Sequence, residues 1–291
     1  MKKKKCKQNI KEWCPLLEES ESRGIRKYKK VDSWICFCNL ILNKFILTDK
    51  KEQNDSKRLI LKDYVWRGHR GSSWKLVASF DRNRNPASSP ESILDRHLTS
   101  FVYACRGKLA EFGIQIKDLK RDIREDVINK NHIWALGQHY GLATPLLDWC
   151  ISPFVAAYFA FAEETSTQDS EERAVIGLKV KEVCANTHLV FFDPMSSEHS
   201  RLINQRGLFT TAKNGECIKK IVRKNWKNGD DPWLIKILIP NDKRKEFLRG
   251  LNLMNINHMS LFPDIYGAAQ FCNIGIEEGM DGYALFHGQG P

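Results

Sequence analysis

The sequence predicts an α+β fold, a single mixed domain with a helical N-terminal elaboration. Three observations predict it. Short apolar runs of strand length alternate with segments of helical periodicity. No internal repeat recurs. The 291 residues are 42% hydrophobic and 28% charged, a composition that supports a packed core and excludes wholesale disorder.

The elements follow in order. Residues 1–30 carry Glu18, Glu19 and Glu21 and then Arg23, Arg26, Lys27, Lys29 and Lys30, which reads as a basic arm with at most a short helix. The domain is expected to occupy residues 31–291. From Val31 to Leu47 apolar residues recur at Trp34, Phe37, Ile41 and Phe45, with Asp32 or Ser33 as N-cap. After a polar connector at Lys50–Lys57, Leu59-Ile60-Leu61 and Tyr64-Val65-Trp66 read as a strand ending at Arg67-Gly68. A helix is predicted between Pro86 and Glu111, with Ile93, His97, Phe101 and Cys105 on one face, and a second over Asp122–His139. A short apolar link then reaches Ser152-Pro153, whose N-cap serine and first-turn proline start a helix through Ala162. Strands are predicted at Ala174–Val180, Leu189–Phe192 and Trp233–Ile239, and a last helix at Arg244–Leu253.

Lys and Arg number 46 against 35 Asp and Glu, a net charge of +11. Such a surplus favours a polyanionic partner. The basic clusters are Lys27, Lys29 and Lys30, and Lys219, Lys220, Arg223, Lys224 and Lys227, with Trp226 inside the second as a candidate base-stacking ring. Nine cysteines at irregular spacing, none in a C-x-x-C pair, fit reduced thiols and argue against a zinc site. No run of about 18 uncharged apolar residues exists, and the lysine-rich start leads into a polar stretch without the apolar core of a signal peptide. A cytoplasmic location without membrane association is therefore expected.

Two segments concentrate chemistry. In Trp66-Arg67-Gly68 an arginine ends an apolar strand, where a guanidinium can clamp a phosphate or pair with a core-edge carboxylate. In the segment Gly137–Pro153, the polar residues Gln138, His139, Tyr140, Thr144, Asp148 and Ser152 crowd a link between two helices, and Asp148 can orient His139 or accept from Arg67. Gln205 precedes a strand, and Asp264 in Pro263-Asp264 reads as a helix cap.

These residues, taken in order, resemble the FRG domain family. The resemblance rests on Trp66-Arg67-Gly68, the Ser79–Arg82 segment, Gln138-His139-Tyr140-Gly141, Leu146-Leu147-Asp148-Trp149, Ser152-Pro153 with Ala156, Tyr158, Phe159 and Ala160, Gln205-x-Gly207-x-Phe209, and Leu261-Phe262-Pro263-Asp264. It spans roughly residues 31–272. Ala78, Pro145 and Cys150 stand where the family usually has proline, a basic residue and threonine. The layout is also similar to that of ADP-ribosyltransferases, which implies a small split β-sheet core wrapped by helices, and NAD as the bound cofactor. Under that likeness Arg67, His139, Asp148 and Gln205 are the catalytic candidates, and Trp66, Gly68, Tyr140 and Ser152 hold the dinucleotide. Gln205 occupies the place of the family glutamate but supplies no negative charge, leaving Asp148, Asp264, Glu277 and Glu278 as alternatives. The implied function is ADP-ribosyl transfer to a macromolecule, with RNA favoured by the charge, by a toxin of an antiphage or toxin–antitoxin system restrained by an inhibitory protein. The alternatives are a non-catalytic nucleic-acid or nucleotide-binding module and a metal-dependent nuclease on His139, Asp148 and Asp264. No paired-ligand spacing supports the last, and no metal is expected.

Overall fold

Among the described residues eight strands, β1 (Glu18–Ser22), β2 (Ile25–Lys29), β3 (Tyr64–His69), β4 (Leu146–Cys150), β5 (Glu172–Lys179), β6 (Val190–Phe192), β7 (Gly207–Thr211) and β8 (Leu234–Pro240), hydrogen-bond into one mixed sheet. Their order is β1-β2-β8-β5-β3-β4-β7-β6, and only β2 and β8 run parallel. The computed structural model describes residues 14–46, 63–82, 90–105, 107–112, 114, 127–164, 171–193 and 207–278.

Among the described residues ten α-helices surround the sheet: α1 (Trp34–Ile41), α2 (Ser79–Arg82), α3 (Pro90–Ala104), α4 (Val127–His139), α5 (Pro153–Phe161), α6 (Val180–Asn186), α7 (Ile218–Asn225), α8 (Arg244–Leu253), α9 (His258–Leu261) and α10 (Ile265–Glu278). The local start signals hold. Ser33 Oγ accepts from Cys36 N at 3.2 Å to cap α1. Ser152 Oγ accepts from Phe154 N and Val155 N at 3.3 and 3.4 Å to cap α5, with Pro153 in its first turn.

The strand β5 is buried along nearly its whole length, because α5 covers one face and α7 with the loop at Leu76 covers the other. Three apolar clusters result. One, under α1, α5 and α8, covers Tyr28, Tyr64, Trp66, Val175 and Ile237 on the first face. A second, on the same face, joins α3 and α4 to Leu146 and Phe209. The third lies on the opposite face, where Val65, Leu147, Ile176 and Leu234 meet Ile218, Ile221 and Val222.

The sheet differs from the small split core in one instructive way. It is continuous, but its two halves are joined weakly. β3 and β4 share a single register pair, Trp66 with Cys150, whereas β3 and β5 share six and β4 and β7 share five. The segment Leu146–Cys150, read from sequence as a link, is the strand on the far side of this narrow join.

Two further expectations are corrected. The described part of the 1–30 arm is no arm. Arg23 and Gly24, both at positive φ (46° and 73°), form a two-residue hairpin turn between β1 and β2. β2 then extends the sheet beside β8, with Ile25 and Tyr28 buried. Charge hid this strand: the outward residues are Glu, Arg and Lys, and the pairing partner is some 200 residues away. The acids of exposed β1 instead flank Arg26, whose guanidinium lies 3.3 Å from Glu19 and 2.7 Å from Glu21. The expectation of reduced thiols fails at Cys14 and Cys36, which are paired as a disulfide with Cα atoms 5.1 Å apart. With Asp32 the same sulfurs form a converging group of potential metal ligands, but bonded to each other they have no thiolate to offer. Among the described residues no helix is long and apolar enough to cross a membrane.

Removing the Tyr28 ring from its fully buried site should therefore cost the whole domain. Tyr28→Ala is expected to lower unfolding free energy by about 3–5 kcal/mol in urea titrations. A near-neutral effect would mean that the hairpin contributes nothing to the core.

Candidate functional site

The narrow join opens a cavity of about 360 Å³. One wall carries Trp66, Gly68, Phe159 and Phe262, and the other carries Ala135, Gln138 and His139 of α4 with Leu208 and Phe209 of β7. Arg67 alternates to the opposite sheet face from Trp66 and Gly68, yet all three line the cavity, because the parting strands let it reach through the plane of the sheet. Gly68 is required there for packing. A Cβ would stand 2.0 Å from Ala156 O and 2.5 Å from Ala160 N, so only glycine lets α5 lie this close to β3.

Arg67 is held from three sides. Its Nε donates to His69 Nε2 at 3.1 Å, and one terminal nitrogen donates to Asp148 O at 2.7 Å and to Asp148 Oδ2 at 3.2 Å. Asp148 is gripped in turn, since Gln138 Nε2 donates to its Oδ1 and Thr144 Oγ1 donates to Gln138 Oε1. Ser79 Oγ accepts from Thr144 N at 3.0 Å and fixes that threonine against α2. The Arg67 side chain is 16% exposed and the Asp148 side chain 55%, so the cation is walled in while the carboxylate keeps access to solvent.

The electrostatics match this geometry. Burial, with the Arg67 charge beside it, holds the His69 imidazole well below its ordinary pKa. His69 is therefore neutral and accepts through Nε2, which puts its proton on Nδ1, a buried atom with no hydrogen-bond partner among the described residues. Trp66 Nε1 is likewise buried without a partner among them. Burial and the like charge of Arg67 lower the Arg82 pKa while Asp148 raises it, so a second guanidinium stands near the first. Cys150, though it lines the cavity, is no nucleophile: burial pushes its thiol up to about 12, leaving almost no thiolate at neutral pH.

The structure thus brings Trp66, Arg67, Gly68, His139 and Asp148 to one cavity. It leaves two candidates outside. Ser152 Oγ accepts the capping bonds of α5, and the residue is not in the cavity lining. Tyr140 follows the last residue of α4, which Gly141 terminates at a φ of 88°, and its ring is 63% exposed, with Phe112 as an edge-on neighbour. Gln205 lies outside the described residues, as does the Glu278 side chain. Of the alternative acids, Asp264 Oδ1 accepts from Gly267 N at 2.7 Å and caps α10, as the Pro-Asp turn suggested, and Glu277 pairs with Arg244 at 3.3 Å. Asp148 is the one carboxylate among the lining residues. Sequence reasoning missed His69, Gln138 and Arg82 as members of the site. The signal existed for Gln138, which stands beside His139 in the same crowded segment.

The neutral His69 makes stability depend on pH. Unfolded, it takes a proton near pH 6.5; folded, it resists protonation until well below that. Its contribution is complete above about pH 6.5 and is lost as the pH falls, at up to ~1.4 kcal/mol per unit. His69→Gln keeps an acceptor for Arg67 but does not titrate, so its urea midpoint should fall less than the wild-type midpoint between pH 7 and pH 5.5. Equal slopes would contradict the assignment.

Residues 62–169, the stretch holding Arg67, Gln138, His139 and Asp148, match the model of the FRG domain. No curated protein and no solved structure matches the chain. The motif order read from the sequence agrees with this match to the FRG domain model over residues 62–169.

Proposed function

We propose that this protein is a NAD-dependent ADP-ribosyltransferase that modifies a macromolecule, with RNA as the favoured acceptor. The observation that carries the reading is the cavity at the β3–β4 join, where Arg67 and the accessible carboxylate of Asp148 stand between aromatic walls. Its volume sits at the lower end of the ~300–1,000 Å³ typical of ligand pockets. That suits one half of a dinucleotide, with the remainder extending toward Arg82, whose charge acts on Arg67 and Asp148. The narrow join of a partly split sheet also agrees with an ADP-ribosyltransferase-like layout.

NAD would supply the transferable ADP-ribose, whose glycosidic bond breaks with positive charge developing on the ribose carbon. In this reading Arg67 binds a phosphate oxygen through two N–H groups, aided by Arg82. Phe159 and Phe262, whose rings stand at 87° to each other, supply the apolar surface for the nicotinamide ring. Asp148, released from Arg67 by the incoming phosphate, faces the developing charge or accepts a proton from the acceptor hydroxyl. Gln138 keeps that carboxylate oriented, and His139 donates to a ribose hydroxyl. Such chemistry on cellular RNA is toxic, which fits an antiphage or toxin–antitoxin role and calls for an inhibitory protein partner.

A second reading, a nucleotide-binding module without catalysis, is favoured by one observation: Asp148 is already engaged by both Arg67 and Gln138. Labelled NAD offered with RNA, DNA or protein acceptors separates the two. Arg67→Ala should lower transfer at least ~10- to 100-fold, the loss of a charge-assisted contact, when assayed below the melting temperature of the variant. Asp148→Asn should lower transfer comparably. Saturable NAD binding without label on any acceptor would select the module.

A further inference from the structure

Beyond the cavity, the sheet register aligns a row of residues that sequence order conceals. Arg67 on β3 pairs with Ile176 on β5, Ile176 with Lys236 on β8, and Lys236 with Lys27 on β2. Directly opposed residues share a face, so this row runs from the cavity across the sheet on the face that carries α7. At about 4.8 Å per strand the row is about 14 Å long. Lys219 and Arg223, one helical turn apart on α7, stand over its far end.

The cations crowd one another. Burial, with Lys219 and Lys27 nearby, lowers the Lys236 ammonium to about 8, and burial with Arg223 and Lys27 lowers Lys219. Like charges on directly opposed strand positions cost stability. Among the described residues Lys27, Lys219 and Arg223 are in no ion pair, and Lys236 Nζ donates to the backbone carbonyl of Ser72. On the hairpin, Lys30 pairs with Glu18, and Arg26 with Glu19 and Glu21.

We propose that Lys27, Lys219, Arg223 and Lys236 bind the phosphate backbone of the RNA strand whose target nucleotide enters the cavity. The contact is with the cationic cluster at the far end of the row, because Ile176, midway along it, is buried under the α7 face. Arg67 marks the reactive end. Trp226 takes no part in stacking: it packs against Gly24 and donates from Nε1 to Asp231 O at 3.1 Å, so contact is through phosphates and tolerates any sequence. The inference deepens the reading above and rests on its nucleic-acid acceptor.

The test is fluorescence anisotropy of a labelled 12-nucleotide single-stranded RNA with the full chain, without NAD, over a salt series. The variant Lys27→Ala/Lys219→Ala/Arg223→Ala should bind at least ~10-fold more weakly, and its log K against log salt should be shallower by about two, at ~0.7 per lost phosphate contact. Lys245→Ala/Arg249→Ala, on α8, should bind as wild type does. Because the triple variant removes repulsion, it should melt no lower than wild type. Wild-type binding in the triple variant, a loss matched by the α8 variant, a lower melting temperature, or a preference of the wild type for polyglutamate over RNA would each overturn the proposal. RNA held without label transfer would remove the transferase reading and leave this surface standing.

Discussion

Between Trp66 and Cys150 the two halves of the sheet meet through one register pair, and the architecture of the site follows from that constraint. Strands that stayed paired beyond it would close the cavity. The parting is sustained on both sides. β3 is locked to β5 through six pairs and to α5 by the close approach that Gly68 permits. β4 is locked to β7 and carries the separate core under α3 and α4. The first-face apolar residues therefore form two clusters instead of one, and the cavity is the gap between them.

A gap of this kind leaves backbone and side-chain groups without sheet partners, and the polar chain through the site answers that need. Arg67 reaches across to the carbonyl and carboxylate of Asp148, bridging the strands where ladder hydrogen bonds are missing. Ser79, Thr144 and Gln138 continue the chain on one side, and His69 closes it on the other. An arginine that doubles as a strand bridge is pre-oriented for a ligand phosphate, because its side-chain entropy is already lost. The pairing also sets a threshold: a ligand anion must displace the Asp148 carboxylate to take both guanidinium edges. In the proposed reaction that displacement frees the carboxylate when it is needed.

How much of this the sequence disclosed depended on the range of each signal. Ser152-Pro153 was legible as a helix start because capping is decided within three residues, and Asp264 as a cap for the same reason. The pairing of Arg67 with Asp148 was one of two readings, since an arginine at a strand end announces a partner without identifying it. The serine shows the strength of a local signal: its hydroxyl accepts from the first turn of α5, and Ser152 is not among the residues that line the cavity. Tyr140 stands outside the cavity lining because α4 ends just before it. The hairpin β1–β2 was hidden because Glu and Lys are poor strand formers and its partner β8 lies far along the chain. The alignment of Lys27 with Lys236 and Arg67 could be seen only once the strand order was known.

The account turns on the claim that Arg67 is a ligand-binding cation held in reserve by Asp148. Calorimetric titration of NAD into the wild type, Asp148→Asn, Arg67→Ala and the double variant tests it as a cycle. If the carboxylate competes with the ligand, Asp148→Asn binds NAD more tightly than wild type, Arg67→Ala loses binding, and the second substitution changes nothing once Arg67 is gone. Weaker binding in Asp148→Asn, or undiminished binding in Arg67→Ala, would contradict the claim and make the pair a structural bridge alone.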